Sequence, residues 1–120
     1  MKEKASFRET IERMDFEQAS RRLEPVLRPT NLIESPVFGD ESGNKVWLKP
    51  ENLQETGAFK IRGAYNRISK LAGSESSKGL VASSAGNHAQ GVAFAAQAQD
   101  VHATIVMPKT TPLIKVEATR

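Results

Sequence analysis

The 120-residue chain contains no cysteine. This absence excludes disulfide bonds, thiolate metal sites and a cysteine nucleophile within the chain, and nothing in the sequence points to an oxidising compartment. The two histidines lie far apart in the sequence and do not form a metal-binding constellation. We therefore expect no metal site.

Long apolar runs and clustered charges are also missing. Residues 1–18 have no apolar core of signal-peptide length, and no later stretch approaches the roughly 20 apolar residues that a membrane span requires. The 17 basic and 14 acidic residues give a net charge of +3 and are spread along the chain, with no basic run interleaved with aromatics. We therefore expect a cytoplasmic protein that binds neither nucleic acid nor membrane.

The composition is ordinary for one soluble globular domain. Hydrophobic residues make up 38% of the chain and charged residues 26%. A chain of this length can bury a modest core, whereas a two-domain enzyme normally needs more than twice as many residues. A two-domain interpretation therefore implies that the chain is part of a longer molecule.

Hydrophobic periodicity predicts alternating helices and strands. Asp15 caps the first predicted helix. The predicted helices span residues 15–26, 60–72, 87–99 and 113–120, and the predicted strands span residues 33–38, 45–49, 79–83 and 101–107. The first two strands flank a polar turn at residues 39–44, and a loop at residues 74–78 follows the second helix.

This alternation predicts an α/β fold, in which a parallel sheet is covered by helices on both faces. In such sheets, ligands bind at the carboxyl ends of the strands. We expect two loops to lie at such an end, at residues 57–60 and 83–88.

Lys60 is the most informative residue. It follows a turn at Gly57 and stands where a helix begins, between Phe59 and Ile61. Desolvation by these neighbours and the positive helix end would disfavour the ammonium form and free the amine for covalent chemistry. The alternative is an ordinary surface lysine of an amphipathic helix. Phe59 is either a core anchor or a flat ring beside a reactive amine, and Arg62 is interpreted as a solvated helix charge.

A second loop, at residues 83–88, combines hydroxyls, a glycine and an amide at the start of a helix. Free backbone N–H groups and the positive helix end make this an anion site. We expect a carboxylate rather than a phosphate, because the phosphate-binding patterns GxGxxG and GxxxxGK[ST] are absent. Gly86 would let a ligand approach the backbone closely. The alternative is that Ser84 or Asn87 only caps the helix.

The two histidines remain open to different interpretations. His88 follows the anion loop and is either a general acid or base or a hydrogen-bonded structural residue. His102 precedes a buried strand and is interpreted as structural.

Two long motifs resemble a known enzyme family. The segments KPENLQETGAFKIRGAYN at residues 49–66 and SSAGNHAQGVA at residues 83–93 closely resemble the threonine and serine dehydratases. These are pyridoxal-phosphate enzymes with the fold of the tryptophan-synthase β-subunit. The resemblance runs from about Phe16 to Arg120. The sequence Lys60-Ile61-Arg62 is similar to that of dehydratases and serine racemases, whereas cysteine and threonine synthases have Lys-Asp-Arg.

The resemblance implies roles for the residues of both loops. Lys60 would be the catalytic residue, forming the Schiff base with pyridoxal phosphate and removing the substrate Cα proton. Phe59 would pack beside the cofactor ring, and Asn87 would donate a hydrogen bond to the ring hydroxyl. The substrate carboxylate would be held by Ser83, Ser84, Ala85, Gly86, Asn87 and His88. The implied reaction converts L-threonine or L-serine to a 2-oxo acid and ammonia.

The resemblance also implies a domain arrangement. Residues 1–52 would begin the large domain, and residues 53–120 would form most of the small one. The glycine-rich loop that cradles the cofactor phosphate would lie beyond residue 120. The sequence Thr30-Asn31-Leu32 departs from the usual Thr-Pro-Leu of the family. Two alternatives remain, a catalytically inactive fragment and a relative of serine racemase. The resemblance implies a homo-oligomer for a complete family member, and the sequence does not show the oligomeric state of this chain.

Overall fold

The computed structural model of the chain describes residues 7–12, 14–71 and 77–120. Within these residues the structure contains six α-helices, four strands and one 3-10 helix. In chain order these elements are α1 (Phe7–Glu12), α2 (Phe16–Leu23), β1 (Ile33–Glu34), α3 (Pro36–Ser42), β2 (Trp47–Leu48), the 3-10 helix (Glu51–Leu53), α4 (Lys60–Ile68), β3 (Leu80–Ser83), α5 (Asn87–Ala98), β4 (Ala103–Val106) and α6 (Leu113–Glu117).

Strands β3 and β4 form a parallel pair that is connected through α5, which confirms the α/β prediction. The register pairs Leu80 with Ala103 and Ser83 with Val106. Alternate side chains point to opposite faces of a strand, so the two faces have different environments. One face packs Leu80, Ala82 and Ile105 against the helices. The other face is open within the described residues, and Val81 on it is 79% exposed.

The core is centred on the pair of helices α4 and α5. The apolar residues of α4 recur with helical spacing and place one face toward α5. Tyr65 is buried in this face, and its hydroxyl accepts a hydrogen bond from Nε2 of Gln99 at 2.7 Å. The buried cluster consists of Leu23, Ala64, Tyr65, Ile68, Val92 and Ala95.

Strands β1 and β2 form a separate antiparallel hairpin. The polar turn predicted between them is wrong, because helix α3 occupies most of this segment. Ser35 is the N-cap of α3, and Pro36 lies in its first turn, where a missing N–H costs nothing. Gly43 ends the helix with a positive φ of 67°. Pro36 cannot donate to a strand ladder, so the predicted strand at residues 33–38 stops at Glu34.

The hairpin changes the expected position of the first loop. Because β2 is antiparallel and lies outside the β3–β4 sheet, the loop before α4 does not follow a parallel strand, contrary to the prediction. The chain instead passes through the 3-10 helix and a turn, in which the Gly57 N–H donates to the Gln54 carbonyl at 2.8 Å. The φ of Gly57 is 66°, which explains the glycine in this turn.

Helix α1 was not predicted, and the boundaries of the predicted helices agree with the structure to within a few residues. Asp15 caps α2 by accepting the Gln18 N–H at 2.8 Å, as predicted. Helix α4 ends at Ile68 and is followed by a turn, so its predicted continuation over residues 69–71 is wrong. Residue 72 and most of the loop at residues 74–78 lie outside the described residues. Among the described residues, no helix is long and apolar enough to cross a membrane.

Candidate active site

Lys60 is the first residue of α4, and Phe59 is the N-cap position before it. The Lys60 ammonium lies 5.2 Å from the centroid of the Phe59 ring, within the range of a cation–π contact. Both side chains are exposed, Phe59 to 59%. The expected desolvation of Lys60 by its neighbours is therefore wrong for this structure, and Phe59 is not a core anchor.

A cavity of about 570 Å³ lies between α4, β3 and α5. It brings Phe59 and Lys60 together with His88, which comes from the start of α5. The lining is mainly apolar, with Arg62 and Arg67 as further cationic residues. The other residues of the predicted anion loop, 83–87, do not line this cavity. The structure therefore brings Phe59, Lys60 and His88 to one cavity, whereas residues 83–87, between the end of β3 and the start of α5, lie outside its lining.

The second loop has the geometry of a helix start without a side-chain cap. Gly86 is the N-cap, and no side chain caps the helix there, so capping by Ser84 or Asn87 is wrong. The Ser84 hydroxyl instead accepts the Gly86 N–H at 3.3 Å. Within the described part of the chain, the N–H groups of Asn87, His88 and Ala89 have no acceptor. Three unpaired N–H groups at a positive helix end can bind an anion, and the carboxylate site remains a prediction.

The loop is anchored to the parallel sheet. Ser83 is the last residue of β3 and pairs with Val106 of β4. The Ser84 N–H donates to the Val106 carbonyl at 3.1 Å and extends the ladder by one bond. Ala85 and Gly86 are half-buried behind it. The start of α5 is thus fixed relative to the carboxyl end of β3, as the sequence predicts for this loop.

Helix α5 packs closely against the start of α4 through Gly91. A Cβ atom on Gly91 would lie 3.2 Å from both the carbonyl carbon and the carbonyl oxygen of Lys60. It would also lie 3.4 Å from the Cβ of Ala64. Because a Cβ atom at this distance would be packed more tightly than most real contacts, glycine allows the close approach of α5 to the Lys60 backbone.

Arg62 forms a bidentate ion pair with Glu51 rather than acting as a solvated helix charge. Its Nε donates to Oε2 and its Nη2 donates to Oε1, both at 2.8 Å. The hydrogen bond and charge of Arg62 lower the pKa of the Glu51 carboxyl, with smaller contributions from Gln54 and Thr30, while desolvation opposes the shift. The same pair raises the pKa of Arg62. Glu51 is therefore ionised at neutral pH and is linked to the first turn of α4.

Gln54 is a buried polar residue that sequence reasoning missed. Its side chain is hydrogen-bonded to both backbone groups of Arg28, accepting the N–H at 3.0 Å and donating to the carbonyl at 3.0 Å. The residue is 3% exposed. Neither helical nor strand periodicity marks Gln54, because it belongs to a turn. The only feature of the sequence that could have identified Gln54 is the motif at residues 49–66, which contains it.

Among the residues that the structure describes, no group of three or more His, Cys, Asp or Glu side chains is placed to hold a metal ion. The chemistry of the cavity rim consists of a primary amine, an aromatic ring and an imidazole. Together with the unpaired N–H groups of α5, this set is typical of sites that bind a carbonyl compound covalently and an anion noncovalently.

Comparisons with known proteins agree with this chemistry. The family model of the pyridoxal-phosphate dependent enzymes matches residues 23–120. The L-threonine ammonia-lyase of Thermotoga maritima is 53% identical to the chain over 106 residues, which cover 88% of this chain and 26% of the relative.

Two solved structures have the same fold over most of the chain. Maize serine racemase superposes with a TM-score of 0.78 and 41% identity, covering 86% of this chain and 31% of the racemase chain. Threonine deaminase isoform 2 of Solanum lycopersicum superposes with a TM-score of 0.72 and 39% identity, covering 89% of this chain and 32% of the deaminase chain.

The fold is that of enzymes that use an aldehyde cofactor. The chain belongs to the family of pyridoxal-phosphate dependent enzymes, of the fold shared by serine racemase and threonine deaminase. It spans less than a third of the length of each relative described above. The resemblance seen in the two sequence motifs is thereby confirmed.

Proposed function

We propose that this chain carries the reactive lysine of a pyridoxal-phosphate dependent ammonia-lyase that converts L-threonine, or L-serine, to a 2-oxo acid and ammonia. The observation that carries the proposal is the exposed Lys60 amine, beside the Phe59 ring and on the rim of the cavity that His88 also lines. The 53% identity to the Thermotoga maritima L-threonine ammonia-lyase supports the choice of substrate.

The residues present fit pyridoxal phosphate. The cofactor's aldehyde requires a primary amine, which Lys60 presents to solvent without an ion-pair partner among the described residues. Its aromatic ring requires an apolar neighbour, which Phe59 and the apolar lining of the cavity supply. Asn87 is exposed at the start of α5 and would hold the ring hydroxyl. When bound, the cofactor supplies an electron sink that stabilises negative charge at the substrate Cα.

Each residue of the site has a distinct task in this proposal. Lys60 Nζ first holds the cofactor and, once released, removes the Cα proton and carries it on Nζ. The N–H groups at the start of α5, with Ser83 and Ser84, bind the substrate carboxylate and orient the Cα–H bond toward Lys60. The β-hydroxyl leaves as water, and one water is taken up again on hydrolysis, so the net products are a 2-oxo acid and ammonia.

The arrangement of the chain within such an enzyme is also a proposal. Residues 1–52 would belong to the larger domain and residues 53–120 to the smaller one. The open face of the β3–β4 sheet, where Val81 is 79% exposed, is consistent with further elements packing there. Homo-oligomer formation, as in complete family members, stays a prediction.

A serine racemase activity is the second candidate. The similarity to maize serine racemase, with a TM-score of 0.78, favours it. Both activities need a lysine that removes the Cα proton, so Lys60 serves either reaction. They differ in the fate of the substrate: a racemase returns the proton and yields D-serine, whereas an ammonia-lyase releases a 2-oxo acid.

Reductive trapping tests the assignment of Lys60. The purified chain would be incubated with pyridoxal phosphate, reduced with borohydride and mapped by peptide mass analysis. We expect the label on Lys60 to exceed that on any other lysine, and Lys60→Ala to abolish the excess. The matched control is Lys70→Ala, which removes an exposed lysine beyond the other end of α4.

Product assays then separate the candidate functions. Release of a 2-oxo acid from threonine supports the ammonia-lyase, and D-serine from L-serine without a 2-oxo acid supports the racemase. Labelling of Lys60 without either product supports the alternative of a catalytically inactive fragment. Equal labelling of Lys60 and Lys70 would show that the proposed site does not exist in this chain.

A further inference from the structure

Glu51 lies outside the cavity, yet it is bonded to the helix turn that presents Lys60. We infer that Glu51 is a positioning residue for Lys60, acting through the bidentate pair with Arg62. The inference rests on the proposed role of Lys60 and adds to it a residue that touches neither cofactor nor substrate.

The position of the Lys60 amine depends on the backbone of the first turn of α4. Apart from its contact with the Phe59 ring, the Lys60 side chain has no hydrogen-bond or ion-pair partner among the described residues. No side-chain bond therefore fixes the amine from its own end. The direction in which the side chain leaves the helix, and hence the volume that Nζ can reach, is set by where this turn lies.

Arg62 connects this turn to Glu51 with directional bonds. It is the third residue of α4, two positions after Lys60. Two parallel N–H to oxygen bonds of 2.8 Å fix the plane of the guanidinium against the carboxylate, which a single point contact does not do. The pair is partly shielded from water, with the Glu51 side chain 16% exposed and that of Arg62 36% exposed. It is therefore screened less than a fully exposed pair.

Glu51 is held in turn by its own neighbours. The Thr30 hydroxyl donates to its Oε1 at 3.3 Å, and Nε2 of Gln54 lies 3.5 Å from the same oxygen. The side chain of Gln54 is itself hydrogen-bonded to both the N–H and the carbonyl group of Arg28. Because three segments of the chain meet at this carboxylate, Glu51 is a fixed point from which Arg62 holds the helix.

The other side of the turn is held by α5. Gly91 lies against the Lys60 carbonyl group, where it leaves no room for a Cβ atom without displacing the backbone. The start of α4 is thus held between Gly91 on one side and the Glu51–Arg62 pair on another. Ile61, the next residue, is fully buried. The loss of the pair therefore removes one constraint and leaves the helix packed on α5.

Two substitutions separate positioning from simple charge. Glu51→Gln removes the negative charge and one strong acceptor. Arg62→Lys keeps both charges but removes the guanidinium fork, because an ammonium cannot bond both oxygens in one plane. If Glu51 acted only through its charge, Arg62→Lys would have no effect on Lys60. Positioning requires both variants to impair Lys60.

The measurement is the rate at which pyridoxal phosphate becomes borohydride-trapped on Lys60, divided by the rate on Lys70 in the same sample. We expect this ratio to fall about five- to tenfold in Glu51→Gln and in Arg62→Lys, since small misplacements of a reacting group reduce rates steeply. The control is Glu55→Gln, which makes the same chemical change at an exposed carboxylate paired with Arg28. It should leave the ratio unchanged.

A general loss of structure would lower this ratio without any specific positioning. The ratio is therefore measured under conditions where unfolding curves show each variant to be folded, and a charge-swapped variant, Glu51→Arg with Arg62→Glu, is added. We expect the swap to recover labelling of Lys60 relative to either single reversal. An unchanged ratio in Arg62→Lys, or a swap no better than the single reversals, would overturn the inference while leaving Lys60 as the reactive residue. A wild-type ratio near one would instead overturn the proposed function, and the positioning role with it.

Discussion

Gly91 of α5 lies against the peptide carbonyl of Lys60, so closely that a Cβ atom there would be 3.2 Å from both atoms of the carbonyl. The contact joins the residue proposed to carry the chemistry to the helix that carries the proposed carboxylate site. On the Lys60 side, the contact is made by backbone atoms and not by the side chain. A methyl group at position 91 would require the backbone to shift by a few tenths of an ångström.

We expect Gly91→Ala to destabilise the chain and displace Lys60. Replacing a helical glycine by alanine would by itself stabilise by about 0.5–1 kcal/mol, but overpacking against a rigid backbone costs about 1–3 kcal/mol. The net expectation is a loss of about 1 kcal/mol in the free energy of unfolding, measured in urea. Labelling of Lys60 by pyridoxal phosphate should fall in the folded variant.

Gly63→Ala is the matched control for this substitution. Gly63 lies in α4, and apart from its chain neighbours and its own helix backbone no atom is within 4 Å of the position that its Cβ would occupy. Only the helix propensity changes, so the variant should gain about 0.5–1 kcal/mol. If Gly91→Ala stabilised the chain as much as Gly63→Ala does, the close approach would have no energetic consequence.

The Glu51–Arg62 pair should make stability depend on pH in the acid range. Arg62 holds the pKa of the folded Glu51 carboxyl below its ordinary value of 4.5, so the unfolded chain binds this proton at a higher pH than the folded one. The contribution of Glu51 is therefore complete at pH 7 and is lost as the pH falls through 4.5 and then through the lower, folded value. Arg62 stays charged throughout this range.

Unfolding of the wild type and Glu51→Gln at several pH values tests this expectation. At pH 7 the variant should be less stable by about 1–2 kcal/mol, which is below the roughly 1.5–3 kcal/mol of hydrogen bonds to charged groups because the pair is partly exposed. The difference should shrink as the pH approaches 3. A difference that is the same at pH 7 and pH 3 would show that the carboxyl does not titrate with folding. Glu55→Gln, at an exposed pair, should differ little from the wild type at pH 7.

We expect Gln54→Ala to destabilise the chain more than most substitutions in turns do. The substitution removes both partners of the Arg28 backbone groups, and those groups are left partly buried. Each unsatisfied buried group costs about 1–3 kcal/mol, so we expect a loss of about 2–4 kcal/mol in urea unfolding. Asn52→Ala, two residues earlier at an exposed position, should change stability by less than about 0.5 kcal/mol.

Two glycines with positive φ distinguish backbone strain from steric overlap. Gly43 has a φ of 67° and no atom near its Cβ position, whereas Gly79 has a φ of 71° and its Cβ would lie 2.9 Å from the His102 carbonyl oxygen. That oxygen accepts the Leu80 N–H at 2.8 Å at the start of the parallel sheet. Gly43→Ala should cost about 1–2 kcal/mol for the left-handed backbone alone.

Gly79→Ala should cost more, since the added methyl group also displaces the His102 carbonyl from its bond. We expect an excess of about 1–2 kcal/mol over Gly43→Ala in thermal or urea unfolding. Faster amide exchange at Leu80 should accompany it. Equal losses for the two variants would mean that the sheet edge adjusts without cost.

The sequence predicted the elements that depend on local signals. Asp15 as an N-cap, the turn at Gly57 and the starts of α4 and α5 follow from residue types that act within a few positions. Helix α3 was missed although Ser35 and Pro36 are a helix-start signal, because the surrounding apolar residues also fit a strand. The choice between the two depends on pairing with β2 and not on the segment alone.

The sequence by itself determined that a lysine begins a helix after a glycine turn and that a polar loop begins a second helix after a strand. Only the tertiary structure decided which of these residues meet. Lys60 and His88 share a cavity, Gly91 lies against the Lys60 carbonyl, and Arg62 bonds Glu51. The physical reason is that these relationships join segments with no common periodicity, so they arise only when α4, α5 and the 3-10 helix pack together.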